Sequence, residues 1–312
     1  MEFLGLKLTS TKQFPDKASI EFVLDTANKM EPYASGKKYT EVLKDKVIAT
    51  LFYEPSTRTK LSFQSAALRL GAKIISETGI QFSSLYKGES IEDTMRMVEH
   101  YADLVIMRHP EKGSADIACS ALTRPFINAG DGHGQHPTQA LLDMYTIRKE
   151  KGKIDKLKIA LVGDLKFGRT VHSLCYLLKF YDSELIFVSP DELKMPEKVT
   201  EELKKNKVKF SEVNSLDAVL PVADVIYMTR VQEERFENRD DYLKLKDSFI
   251  LTAELLKKAK KDVTIMHPLP RLKEIDVSVD AHPGAAYFRQ AGNGIPLRMA
   301  LIAMLLGREK MI

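Results

Sequence analysis

Glu54-Pro-Ser-Thr-Arg-Thr59 places three hydroxyls and a guanidinium side by side, directly after the apolar run Val47–Phe52. A helix start leaves its first backbone N–H groups without helical partners and carries the positive end of the dipole. Ser56, Thr57, Arg58 and Thr59 at such a start would suit a phosphate. An ordinary Ser/Thr N-cap beside a surface arginine would use the same residues. A Walker A loop is excluded, because GxxxxGK[ST] occurs nowhere in the chain.

Arg108-His109-Pro110 follows the apolar Leu104–Met107. An arginine at the carboxyl end of a buried strand calls for an anion or a carboxylate, and pairing with a glutamate is the structural alternative. His136-Pro137-Thr138-Gln139 comes after the glycine-rich Gly130-Asp-Gly-His-Gly-Gln135. His136 and Gln139, three apart, are expected on one helix face, although a lone histidine capping a helix is usually structural.

Gly163-Asp-Leu-Lys-Phe-Gly-Arg-Thr170 follows the apolar Lys158–Val162 and could pass for a degenerate dinucleotide turn. It lacks GxGxxG spacing, and no acidic residue stands at the distance a ribose requires. Arg169 would instead project near the cleft. Thr229-Arg230-Val231-Gln232 follows Asp224–Met228, and in an extended chain Arg230 and Gln232 share a side. Two arginines and a glutamine suit a substrate bearing two carboxylates; an amine side chain would call for acidic partners.

The elements that must hold these residues alternate from end to end. Strands are expected at Val47–Phe52, Ala72–Ile75, Leu104–Met107, Pro125–Asn128, Lys158–Val162, Glu184–Val188, Val208–Phe210, Asp224–Met228 and Thr264–Met266. Helices are expected at Thr59–Leu70, along Ile91, Met95 and Val98 behind a Ser90/Asp93 capping pair, and at Thr138–Arg148 behind Pro137. Further helices are expected at Val171–Lys179, Pro196–Lys205 and Pro296–Leu306. This pattern predicts an α/β fold of doubly wound parallel sheets, whose ligands gather at the carboxyl ends of strands. The segment around Arg148–Lys153 reads as an exposed helix end and linker.

At 312 residues two lobes are expected rather than one. A balance of 47 basic against 43 acidic residues argues against a nucleic-acid partner. No run approaches the roughly 18 apolar residues a membrane helix needs, and no signal peptide opens the sequence, so a cytoplasmic protein is expected. Cys119 and Cys175 fit neither a disulfide framework nor a CxxC site and are expected in the core. The histidines and cysteines show no metal-ligand spacing, and no cofactor is called for.

Ser56-Thr57-Arg58-Thr59, Arg108-His109-Pro110 and His136-Pro137-Thr138-Gln139 together resemble the carbamoyl-phosphate signature of the transcarbamoylases. The resemblance runs through Met266-His267-Pro268-Leu269-Pro270-Arg271 to Tyr287–Ile295 and the last helix. It implies two domains, 1–137 plus 292–312 for carbamoyl phosphate and 150–288 for aspartate. The active site would lie in the cleft between them, and the C-terminal helix would return to the first. It implies that Ser56, Thr57, Arg58, Thr59 and Arg108 hold the phosphate, and that Thr59, Arg108 and His136 face the carbonyl oxygen. Gln139 would hold the carbamoyl NH₂, with Pro268 and Leu269 offering backbone carbonyls.

Ser83-Ser84-Leu85-Tyr86-Lys87-Gly88-Glu89 resembles the mobile loop that in this family enters a neighbouring subunit's site. Its serine-to-lysine spacing departs by one residue from the family pattern, so the serine is Ser83 or Ser84, with Ser84 favoured. Lys87 transfers directly. Lys87, Arg169, Thr170, Arg230, Gln232 and Leu269 would bind aspartate. The absence of His-Cys-Leu-Pro and Ser-Met-Gly points away from the ornithine branch. The family implies a catalytic homotrimer, with a separate regulatory chain as a possible addition. An ornithine transcarbamoylase and a non-catalytic anion-binding subunit are the alternatives.

Overall fold

The computed structural model describes residues 1–233, 236 and 238–311. Two compact units emerge, Met1–Tyr145 with Asn293–Ile312, and Thr146–Gly292; Ile312 itself lies outside the described residues. The first contains β1 (Lys7–Leu8), α1 (Lys17–Ala34), β2 (Val47–Phe52), α2 (Thr57–Arg69), β3 (Lys73–Thr78), α3 (Ile91–Val98), β4 (Leu104–His109), α4 (Ser114–Ala121) and β5 (Phe126–Asp131). The second contains β6 (Lys158–Val162), α6 (Arg169–Leu178), β7 (Glu184–Val188), α7 (Glu197–Lys205), β8 (Lys209–Val213), β9 (Val225–Met228), α8 (Arg239–Leu245), α9 (Ala253–Leu256) and β10 (Thr264–Met266). Helices α5 (Pro137–Lys151) and α10 (Tyr287–Leu305) each contain a unit boundary.

Each unit is built on a five-stranded parallel sheet, ordered β1-β5-β4-β2-β3 in the first and β10-β9-β6-β7-β8 in the second. The α/β class and the two parallel sheets are those expected from the sequence. Strands covered on both faces read as continuous apolar runs, and β2, Val-Ile-Ala-Thr-Leu-Phe, is one. Its alternate residues serve different faces: Ala49 and Leu51 join Val105, Met107 and Phe126 in one buried cluster. In the second unit Ala160, Val162, Ile186, Val188, Ile226 and Met228 form the corresponding cluster. Burying each such side chain is worth about 1.5–3 kcal/mol.

Several boundaries move. β1 and α1 lie upstream of the first expected strand, and Asp16 caps α1 by accepting from Ser19 N at 2.8 Å. Ser90 caps α3, accepting from Asp93 N at 3.0 Å. β8 runs Lys209–Val213 rather than Val208–Phe210, and exposed Ser211 and Glu212 disguised its second half. The last helix begins at Tyr287, nine residues before Pro296. Gly292, Gly294 and Pro296 read as breakers, yet Tyr287, Gln290, Asn293 and Leu297 are buried at helical spacing. Packing overrides propensity there. Cys175 is buried as expected, whereas Cys119 is only half-buried, at the rim of its cluster.

Candidate functional site

In a doubly wound sheet the crevice opens where successive strands turn to opposite sides. In the first unit the chain leaves β2 for β3 on one flank and returns to β4 on the other, so the switch point lies between β2 and β4. In the second unit it lies between β6 and β9. Ser56–Thr59 and Arg108 stand at the first of these places and Arg169, Thr170, Arg230 and Gln232 at the second; the others follow the neighbouring strands β3, β5 and β10.

At the first switch point Phe52 pairs with Arg108, and Tyr53 N donates to Arg108 O at 2.9 Å. Ser56 is the N-cap of α2 and makes no side-chain capping bond, so its hydroxyl is not spent on the helix. Thr57 and Arg58 are exposed and Thr59 is buried, all in the first turn. The first backbone amides of a helix have no helical partner, so this turn offers free donors beside its hydroxyls.

Arg108 belongs to β4, which extends two residues beyond Met107. Its Nη2 lies 2.7 Å from Glu54 Oε2, and Nη1 reaches Ala129 O at 3.5 Å. The glutamate pairing foreseen as the structural alternative is therefore real. It holds the guanidinium at the β4 end of the switch point, where the turn after β2 also begins.

His136 stands immediately before Pro137, the first residue of α5, and caps that helix through its backbone. Its carbonyl accepts from Gln139 N at 3.1 Å and Ala140 N at 3.2 Å. The imidazole of His136 and the amide of Gln139 are both buried. Gln139 Nε2 donates to Asp143 Oδ1 at 2.9 Å, which fixes the amide and directs its oxygen away from that carboxylate. Asp143, one turn on, was not singled out from the sequence, although i, i+4 spacing could have found it. Burial pulls Arg298 down to about 10, against the charge of Asp143, and its guanidinium lies 4.8 Å from the Phe63 ring.

Ser84 and Lys87 lie in one turn of 3-10 helix following β3, and both are exposed. Ser83 is buried, with its hydroxyl donating to Ile80 O at 2.9 Å. Of the two serines, Ser84 is the exposed one.

At the second switch point Gly163 has φ +113°, and a Cβ there would fall 2.3 Å from Thr229 O. Only glycine allows the turns after β6 and β9 to approach so closely. Thr229 Oγ1 in turn donates to Val162 O at 2.9 Å. α6 begins at Arg169, two residues earlier than expected, so Arg169 and Thr170 occupy its first turn and are half-buried. Arg230 and Gln232, also half-buried, follow β9. Buried Asp164 organises this end: it accepts from Phe167 N at 2.9 Å and from the amides of Gln232 and Lys166. Burial pushes its carboxyl up to about 6, against those hydrogen bonds and the charge of Arg230. Asp164 stood in the motif and was passed over there.

Pro268 and Leu269 follow β10, the next strand beyond β9. Leu269 has φ +57°, a conformation that costs a β-carbon residue about 1–2 kcal/mol. The loop is fastened by His267, whose Nδ1 accepts from Leu269 N at 2.8 Å. That bond leaves the proton on Nε2, which lies 2.8 Å from Glu274 Oε1, while His267 N donates to Gln290 Oε1 at 2.8 Å. Glu274 gave no signal in the sequence because its partner lies seven residues away in a loop.

Fold and candidate site thus define a protein of two doubly wound parallel-sheet units, each presenting basic and hydroxyl side chains at its switch point. Comparison with known proteins agrees. Residues 7–149 match the family described as aspartate/ornithine carbamoyltransferase, carbamoyl-P binding domain, and residues 155–305 match its Asp/Orn binding domain. The chain belongs to the aspartate/ornithine carbamoyltransferase family.

It is 48% identical over 307 residues to the aspartate carbamoyltransferase catalytic subunit of Methanosarcina barkeri, covering 98% of this chain and 99% of that one. The same figures hold for the catalytic subunit of Thermococcus onnurineus. Among solved structures, aspartate transcarbamoylase from Trypanosoma cruzi in complex with carbamoyl phosphate and aspartate superimposes with a TM-score of 0.92 at 39% identity, over 97% of this chain and 98% of that one. The catalytic subunit of M. jannaschii aspartate transcarbamoylase gives 0.89 at 48% identity, over 96% and 97%.

Proposed function

We propose that this chain is an aspartate carbamoyltransferase: it transfers the carbamoyl group of carbamoyl phosphate to the amine of L-aspartate, giving N-carbamoyl-L-aspartate and phosphate. One observation carries the reading. Ser56–Thr59 and Arg108 stand at one switch point and Arg169, Arg230 and Gln232 at the other, on a fold that relatives of near-equal length share.

In this reading Ser56, Thr57, Arg58, Thr59 and Arg108 hold the phosphate, with Ser84 and Lys87 joining from a neighbouring subunit. Aspartate's carboxylates meet Arg169, Thr170, Arg230, Gln232 and Lys87, and the carbonyls of Pro268 and Leu269 orient the NH₂ groups. The neutral amine attacks the carbamoyl carbon. A C–N bond forms, the C–O bond to phosphate breaks, and the leaving phosphate takes the amine proton. Negative charge grows on the carbonyl oxygen, where Thr59, Arg108 and His136 donate. Donors already aimed at such an oxygen are each worth about 10²–10³-fold in rate. Carbamoyl phosphate is already activated, so no nucleophilic side chain is required.

Assays with aspartate and with ornithine as acceptor test the reading directly. Transfer to ornithine alone, or to neither, would reject it. We further propose a homotrimer with shared sites. Exposed Ser84, Tyr86 and Lys87 after β3 support this, as does the open edge strand β3 with Ile75 facing outward. Arg58→Ala and Lys87→Ala preparations, each inactive, are expected to regain activity when mixed and reassembled. Proven mixed oligomers that stay silent would reject the shared site. Size measurement on the same sample shows whether a regulatory chain is needed for assembly.

A further inference from the structure

Asp131 ends β5 and is buried. Its Oδ1 accepts from Gln135 N at 2.7 Å and from Asn128 Nδ2 at 3.0 Å, and its Oδ2 accepts from Gly113 N at 3.0 Å. Gln135 immediately precedes His136. Gly113 caps α4 in the turn that leaves β4 just after Arg108. The two turns also meet through Gly132 N, which donates to His109 O at 2.9 Å. Asn128 holds the carboxylate in place, with Nδ2 also donating to Thr9 O at 2.9 Å and Oδ1 accepting from Gly130 N at 2.7 Å. The wrap is tight, since a Cβ on Gly134 would fall 2.3 Å from Asp131 Oδ2.

We propose that Asp131 is a positioning residue that sets the spacing of Arg108 and His136 through the backbone amides of Gly113 and Gln135. The inference rests on the carbamoyl-transfer reading, in which both side chains act on one carbonyl oxygen. Only a carboxylate accepts at both of its oxygens. An asparagine would turn an N–H against one of the two amides and release that turn. Misplacing a donor by about 1 Å is enough to lose on the order of 10²-fold in rate. Four of the five phosphate-holding residues, Ser56–Thr59, hang from the turn after β2, so shifting Arg108 and His136 costs turnover more than phosphate binding.

The test compares the full-length parent with Asp131→Asn and Gly134→Ala, the second displacing the carboxylate without removing it. The measurements are kcat, KM for carbamoyl phosphate, calorimetric affinity for inorganic phosphate, and circular dichroism with thermal melting. Both variants are expected to fold, to lose roughly ten- to a hundredfold in kcat, and to keep phosphate affinity within about threefold. Turnover within twofold of the parent would overturn the proposal. So would phosphate affinity falling in step with kcat, or neither variant folding, since either outcome makes Asp131 purely structural. If Asp131→Asn alone fails to fold, Gly134→Ala decides. A parent that transfers to no acceptor would reject the functional reading itself, and the positioning role with it.

Discussion

His136 and Arg108 differ in what their removal exposes. In the proposed reaction His136→Ala takes away one donor to the developing oxyanion, and kcat is expected to fall about 10²–10³-fold with little change in KM for carbamoyl phosphate. Arg108→Ala also strands Glu54, its partner at 2.7 Å, so phosphate affinity and kcat should both fall. Steady-state kinetics on the two variants distinguishes these patterns.

In the second unit Asp164 and His172 titrate against each other. Asp164 is pushed up from 3.8 to about 6 by burial, so its stabilising share is complete below about pH 4 and is lost as pH rises through 6. His172, whose Nε2 lies 2.7 Å from Leu165 O, is pulled by burial from 6.5 down to about 4. Its share is therefore lost as pH falls through that window. The two trends offset in the parent. Thermal melting between pH 4 and 7 should show Asp164→Asn gaining stability with rising pH relative to the parent, and His172→Gln losing it. Parallel curves for all three would refute the opposition.

Elements set how closely such groups approach. The turns after β6 and β9 touch because Gly163 carries no Cβ, and Gly163→Ala drives a methyl against Thr229 O. A denaturant titration is expected to show a loss of about 3 kcal/mol or more, with weakened aspartate binding. Phosphate binding on the first unit should survive. Caps work on a smaller scale: Ser90→Ala removes the bond from Asp93 N and should cost about 1 kcal/mol, read in the same titration. The loop of Pro268 and Leu269 depends on a longer chain of contacts, Leu269 N to His267 to Glu274.

For the whole molecule, the alternation of strand and helix from Val47 onward was legible because parallel strands covered on both faces are apolar throughout. Most motif residues were legible too, since they follow those strands directly. Hydroxyls and arginines at strand ends announce an anion from their chemistry alone. Asp131, Asp143, Asp164 and Glu274 stayed hidden as functional residues. Each is a carboxylate whose meaning lies in what it accepts, and for Asp131 that includes an amide 18 residues away.

Residue order alone thus settled the α/β class, the strand ends that bear chemistry and the family resemblance, because burial period and helix-start chemistry are local. Tertiary structure decided which strands are neighbours, where each sheet reverses, and which buried carboxylates hold the turns. Those depend on hydrogen bonds and close approaches between segments far apart in the chain, and no local pattern encodes them.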